Sequence, residues 1–141
     1  EFDSIIRAME ATSEQDAVTI AEKAVALYRG EFLANVKDEG WAIAWREEYR
    51  EKYLNALRAI VKWYRGLNEW EPLRQYAATG FASAPDDEEF CAAMMSIASN
   101  DRNIRAIEDT YTRYTAARKE VHGLPPSTLI QNLRSALLRR L

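Results

Sequence analysis

A protein nucleophile needs a base within hydrogen-bond reach. The one Cys and the one His in these 141 residues, Cys91 and His122, are the only Cys–His pair on offer. They fall on different predicted helices, Cys91 on an apolar face and His122 at a helix end, where the backbone dipole favours an imidazolium. The expectation is a buried structural thiol and a C-terminal helix cap. One Cys cannot close an internal disulfide, and one His cannot build an imidazole metal cage. No glycine-rich phosphate loop is present, and the carboxylates are scattered over what should be solvated faces. These residues predict no catalytic site, no metal site and no cofactor, hence no enzyme.

Aromatic side chains offer a second kind of chemistry, because their faces stack bases and cations. Trp41, Trp45, Tyr49 and Tyr53, followed by Leu57, advance in steps of four. One residue per helical turn places them on one buried stripe, so a core role is expected rather than a ligand platform. Trp41, at the helix start, is the member expected to be partly exposed.

The elements that must position these residues are helices. At 48% apolar and 29% charged, with five Gly and four Pro, the chain has one domain's length and little material for the turns of a many-stranded sheet. No apolar run approaches the ~18–20 residues of a membrane span, and no charged-then-apolar signal segment opens the chain. A soluble, cytoplasmic protein is expected. It begins Glu1-Phe2 rather than with Met, which points to a piece of a longer chain. Residues 1–98 carry 11 Lys and Arg against 18 Asp and Glu, and residues 99–141 carry 8 against 4. Neither half is a dense basic recognition surface, so no direct specific DNA binding is expected.

Capping signals predict about seven helices: to Ala11; from Ser13 to Arg29; from Trp41 to Arg65, ended by Gly66; to Ala82 behind an Asn68–Glu71 capping box; from Asp87 to Asn100; from Asn103 to His122, ended by Gly123; and from Ser127 or Thr128 onward. Sliding the chain by 34 residues lays apolar on apolar: Leu57 on Cys91, Ile60 on Met94, Val61 on Met95, Leu73 on Ile107 and Ala77 on Tyr111. The turn survives as well, with Asn68 landing on Arg102. Thirty-four residues per helix pair is the tetratricopeptide period. The fold class predicted is all-α, with tetratricopeptide-like antiparallel pairs forming a short right-handed superhelix over a single domain, 1–141.

Projecting that repeat, with Pro85 as its terminal proline, assigns a concave wall to Asn55, Arg58, Lys62 and Arg65, which step by three, four and three along one helix face. Their equivalents 34 residues on are Glu89, Ala92, Ser96 and Ser99. Three cations beside small polar residues could receive an acidic or carboxylate-terminated peptide. The alternative is an ordinary solvated face. A second basic surface, Arg134, Arg139 and Arg140, is expected on the last helix.

The stretch Ala26-Leu27-Tyr28-Arg29-Gly30-Glu31-Phe32-Leu33, then Trp41, then Arg46 through Tyr53-Leu54, resembles the bacterial transcriptional activator domain. So do Pro85 with Glu88-Glu89, Ala106-Ile107 with Tyr111, and Gly123 with Pro126-Ser127 leading into Leu133. That helical module accompanies the winged-helix DNA-binding domain of the Streptomyces antibiotic regulatory protein family and related bacterial response regulators. In place of the acidic-Leu-Gly usual before the Pro-Ser, this chain has Val121-His122-Gly123. The resemblance implies a regulatory, protein-interacting domain that scaffolds a neighbouring winged-helix domain or a protein partner, such as the transcription machinery or another regulator. The alternatives are an effector-sensing domain holding a small molecule in its concave surface, or a free-standing tetratricopeptide adaptor.

Overall fold

The computed structural model describes residues 42–141 together with Thr19, Glu22, Lys23, Val25 and Ala26, and side chains in the long helix at Glu48 and from Arg50 onward. The described residues contain helices and no strand. Five helices have described bounds, rather than about seven: α1 Ala42–Leu67, α2 Trp70–Ser83, α3 Glu88–Asn100, α4 Ile104–His122 and α5 Thr128–Arg139. Thr19, Glu22, Lys23, Val25 and Ala26 are helical, within the span expected for the second helix. The expected first helix, Trp41, and the side chains of Trp45 and Tyr49 lie outside the described residues. The chain divides into two compact units, Glu1–Trp63 and Tyr64–Leu141.

In the first unit the buried face of α1 is read from Tyr53, Leu54, Ala56, Leu57, Ile60 and Val61, with Val25 also buried. Their spacing of three and four is that of one helix face. The face is wider than the single ladder through Tyr53 and Leu57, because Leu54, Ala56, Ile60 and Val61 flank it.

In the second unit α3 is the central helix, packed against α2, α4 and α5. Its sequence explains the position: after Glu88-Glu89 it carries no charge, so it can be surrounded without burying an ion. Phe90, Cys91, Ala92, Ala93, Met95, Ile97 and Ala98 are all buried. Around them close Leu73 and Phe81 of α2, Ile107 and Tyr114 of α4, and Ile130 of α5, each 0–1% exposed. Gly80 lets α2 approach closely, since a Cβ there would stand 2.4 Å from the Phe90 ring. Tyr114 is the largest fully buried side chain. Its phenol donates to Ser127 Oγ and accepts the Ser127 N–H, both at 3.3 Å, so its buried hydroxyl is not orphaned.

Most of the helix ends follow the capping signals. Asp87 accepts from the Glu89 and Phe90 N–H groups at 2.9 and 3.4 Å, Asn103 from Ala106 at 3.0 Å and Ser127 from Ile130 at 3.3 Å. With Ser127 as the cap, Gln131 donates its side-chain amide to the Pro126 carbonyl at 2.9 Å. Gly123 closes α4 at φ 66 with its N–H on the Lys119 carbonyl. The turn after α1 departs from expectation. Gly66 stays helical, and Asn68 does not cap α2 but takes the left-handed conformation, φ 56, that ends α1. Glu69 is the N-cap residue and makes no side-chain cap. Asn tolerates left-handed backbone better than most residues, and its side chain cannot serve both ends at once.

The 34-residue register is present in the backbone. Arg102 also has φ 56. Asn68 and Glu69 donate to the Arg65 and Tyr64 carbonyls at 3.2 and 3.0 Å, and Arg102 and Asn103 donate to those of Ser99 and Ala98 at 3.0 and 2.8 Å. The first backbone bonds of the next helices, Leu73 to Glu69 and Ile107 to Asn103, keep the same offset.

Candidate binding clefts

The unit Tyr64–Leu141 contains two clefts that share Arg65. The larger, of about 620 Å³, takes Arg65 and Asn68 from the end of α1 and its turn, and Trp70 from the start of α2. Ser96, Ser99 and Asn100 of α3 and Arg102 of the following turn form another side, and Leu137, Arg140 and Leu141 complete it. The smaller, of about 430 Å³, lies among Arg65, Glu88, Glu89 and Ala92, with Leu129, Asn132 and Leu133 of α5.

Five of the eight residues assigned to a groove from the sequence therefore line these clefts: Arg65, Glu89, Ala92, Ser96 and Ser99. Arg65 Nη1 donates to Glu89 Oε2 at 3.1 Å, spanning α1 and α3. Asn55, Arg58 and Lys62 belong to the unit Glu1–Trp63. There Arg58 Nη1 donates to Asn55 Oδ1 at 2.6 Å, and Lys62 is exposed. Asn68, Trp70 and Arg102 were not assigned to a site from the sequence. The signal was present nonetheless, since the 34-residue shift already lays Asn68 on Arg102.

The two clefts differ in charge. The smaller one presents Glu88 and Glu89 beside Arg65. The larger is lined by three arginines and no Asp or Glu. Asp101, next in sequence to Arg102, is held instead by Arg74, whose Nη1 and Nη2 lie 2.9 and 3.1 Å from its two oxygens. That hydrogen-bonded guanidinium keeps the Asp101 carboxyl below its ordinary range. The stability this contributes is present above the ordinary carboxylate pKa and is lost as pH falls through the lowered one. Both groups are exposed, so the contribution is small.

Arg134 of the last helix is engaged as well: it makes a bidentate pair with Glu108 at 2.8 and 2.7 Å and lies 4.9 Å over the Tyr111 ring. The second expected basic surface thus loses its first member to a structural role. Arg140 lines the larger cleft.

The Cys–His pair does not assemble as a dyad. Cys91 is fully buried in α3, and burial, aided by Glu88 and Asp87, pushes its thiol up to about 12. His122 sits in the last turn of α4, exposed, with Nε2 2.9 Å from Asp86 Oδ2. Since the thiolate is the reactive species, native protein at pH 8 is expected to resist a disulfide-forming aromatic thiol reagent, with labelling appearing only under denaturant. Stoichiometric labelling within minutes in native buffer would contradict the burial. Among the described residues no group of three or more His, Cys, Asp or Glu could hold a metal ion. Nor is any described helix long and apolar enough to cross a membrane.

No curated protein and no solved structure is significantly similar to the chain. A family model described as "Bacterial transcriptional activator domain" matches residues 3–138. That span takes in α1 to α4, all of α5 but its last residue, the left-handed turns, the smaller cleft and all of the larger one but Arg140 and Leu141, and by it the chain belongs to the bacterial transcriptional activator domain family.

Proposed function

We propose that residues 1–141 act as a single regulatory module of a bacterial transcription activator, carrying out no catalysis and working in the cytoplasm. Its role in this reading is to scaffold: a tetratricopeptide-like stack of helix pairs presents a curved surface that positions a neighbouring winged-helix DNA-binding domain or a protein partner. The observation that carries the stacked-pair reading is the recurrence at 34 residues of a left-handed turn residue, Asn68 and Arg102 at φ 56, with the same backbone bonds around each. Repeated turns of one geometry are what a solenoid uses to set a constant step between its units. The transcriptional part of the reading rests on the family match.

The coding sequence immediately upstream tests the setting. An in-frame winged-helix region supports a regulator, whereas a separate start codon and promoter directly before this domain would favour a free-standing adaptor. The partner surface is tested by charge. In this reading Arg58, Lys62 and Arg65 receive the carboxylates of the partner, with Asn55, Glu89, Ser96 and Ser99 completing the wall beside them. The double variant Arg58→Glu/Lys62→Glu is expected to weaken binding of the winged-helix domain, supplied in trans and followed by calorimetry, by at least about tenfold. Stability should change little for the exposed Lys62, since surface charges contribute only about 0–1 kcal/mol each; Arg58 is half-buried, so circular dichroism of the variant checks that the fold is kept. Unaltered binding would remove the groove assignment and leave the family membership standing. The effector-sensing alternative is favoured by one separate observation, the arginine-lined cleft.

A further inference from the structure

The larger cleft concentrates positive charge in a chain whose net charge is −3. Arg65, Arg102 and Arg140 line it and no Asp or Glu does. Arg65 is shared with Glu89 at 3.1 Å. The side chains of Arg102 and Arg140 make no hydrogen bond or ion pair with another described residue, and the nearest acidic neighbour in sequence, Asp101, is already held by both Nη atoms of Arg74. Two guanidiniums without a hydrogen-bond or ion-pair partner among the described residues thus line one cleft of about 620 Å³, a size typical of small-molecule sites (~300–1,000 Å³).

The remaining lining is specific in kind. Ser96, Ser99, Asn68 and Asn100 add neutral donors, and Trp70 adds one flat apolar wall. A single carboxylate carries one charge and is satisfied by one guanidinium fork. A phosphate monoester carries roughly −1.5 to −2 at neutral pH on three strong acceptor oxygens. It matches the two free charges and uses the extra donors, while the body to which the phosphate is attached can lie against the indole.

Arg102 itself is an unusual choice for its backbone. At φ 56 a Cβ is costly, and Gly or Asn is the residue that position favours. The 34-residue equivalent of Arg102 is Asn68, which meets that preference. A long cation at the strained position places a guanidinium at the cleft at a cost in local stability, as strained residues at binding sites commonly do.

We propose that this cleft is a binding site for a small organic phosphate, with Arg102 as its principal anion ligand and Trp70 packing the organic body. The site is independent of the scaffolding reading and would stand if that reading fell.

Phenyl phosphate is the probe, followed by the backbone amide of Arg102 and the indole N–H of Trp70 in heteronuclear NMR titrations of the whole chain. Saturable shifts at both positions are expected at pH 7.5, and they should weaken as pH falls through about 6, where the phosphate loses its second charge. Arg102→Gly relieves the left-handed backbone, so it should be at least as stable as the parent and bind at least about tenfold more weakly, the scale of one lost charge-assisted hydrogen bond. Arg105→Gln, on an exposed residue outside the cleft, should bind as the parent does. No saturable shift at millimolar phenyl phosphate would overturn the site. Equal affinity of Arg102→Gly would overturn the role of Arg102. Phthalate, a dicarboxylate of the same charge, binding as tightly as phenyl phosphate would overturn the assignment to phosphate.

Discussion

Phe90→Ala is expected to destabilise the unit Tyr64–Leu141 by about 3–5 kcal/mol, the cost of removing a fully buried aromatic ring and leaving a cavity that the surroundings only partly fill. Phe90 is 0% exposed and stands in the first turn of α3, the helix against which α2, α4 and α5 all pack. Its ring fills the space over Gly80, so its loss loosens the α2–α3 contact directly. Urea unfolding followed by circular dichroism measures the effect. A midpoint within the equivalent of ~0.5 kcal/mol of the parent, the range of surface substitutions, would show that the ring does not hold the core.

Gly80→Val tests the same contact from the other side. Gly in a helix interior ordinarily costs roughly 0.5–1 kcal/mol relative to Ala, so replacing it usually stabilises. At Gly80 the sign should reverse, because a Cβ would lie 2.4–2.6 Å from three ring carbons of Phe90, and that ring, itself fully buried, has no open space to move into. Overpacking of this kind costs roughly 1–3 kcal/mol, and the upper end is expected for a branched side chain. Gly66→Ala supplies the contrast, since a Cβ there meets nothing within 4 Å, and should raise the unfolding midpoint. The double variant Gly80→Val/Phe90→Ala should lose less than the sum of its parts, as each change makes room for or removes what the other disturbs. Strict additivity would mean that the two residues do not share the contact.

Which parts of this organisation were legible before the fold followed from how local their causes are. Asp87, Asn103 and Ser127 cap helices because a short side-chain oxygen two or three residues ahead of an unpaired N–H needs nothing from the rest of the protein. Gly123 stops α4 for the same kind of reason. The 34-residue register was visible as apolar residues superposed on apolar ones, and it recurs in the turn geometry. The turn at 66–69 departs from the capping pattern because two local solutions compete there. Gly66 and Asn68 can each close α1, and Asn68 can also open α2. The backbone bonds from Asn68 and Glu69 back to α1 decide in favour of Asn68 as the closing residue.

The site divides along the same line. Residue types and spacing alone identified Arg65, Glu89, Ser96 and Ser99 as sharing a repeat-related wall, and family membership was legible in the order of short motifs along the chain. Only the tertiary structure decided which charges remain available. Arg74 and Asp101 are 27 residues apart and Arg134 and Glu108 are 26 apart, and no sequence pattern marks them as partners. Their pairing withdraws Asp101 and Arg134 and leaves Arg102 and Arg140 facing the cleft. Helical periodicity assigns a residue to a face because the period is set by backbone geometry within a few residues. Charge neutralisation instead depends on which side chains meet across helices, and that is fixed only when α2, α4 and α5 have packed around α3.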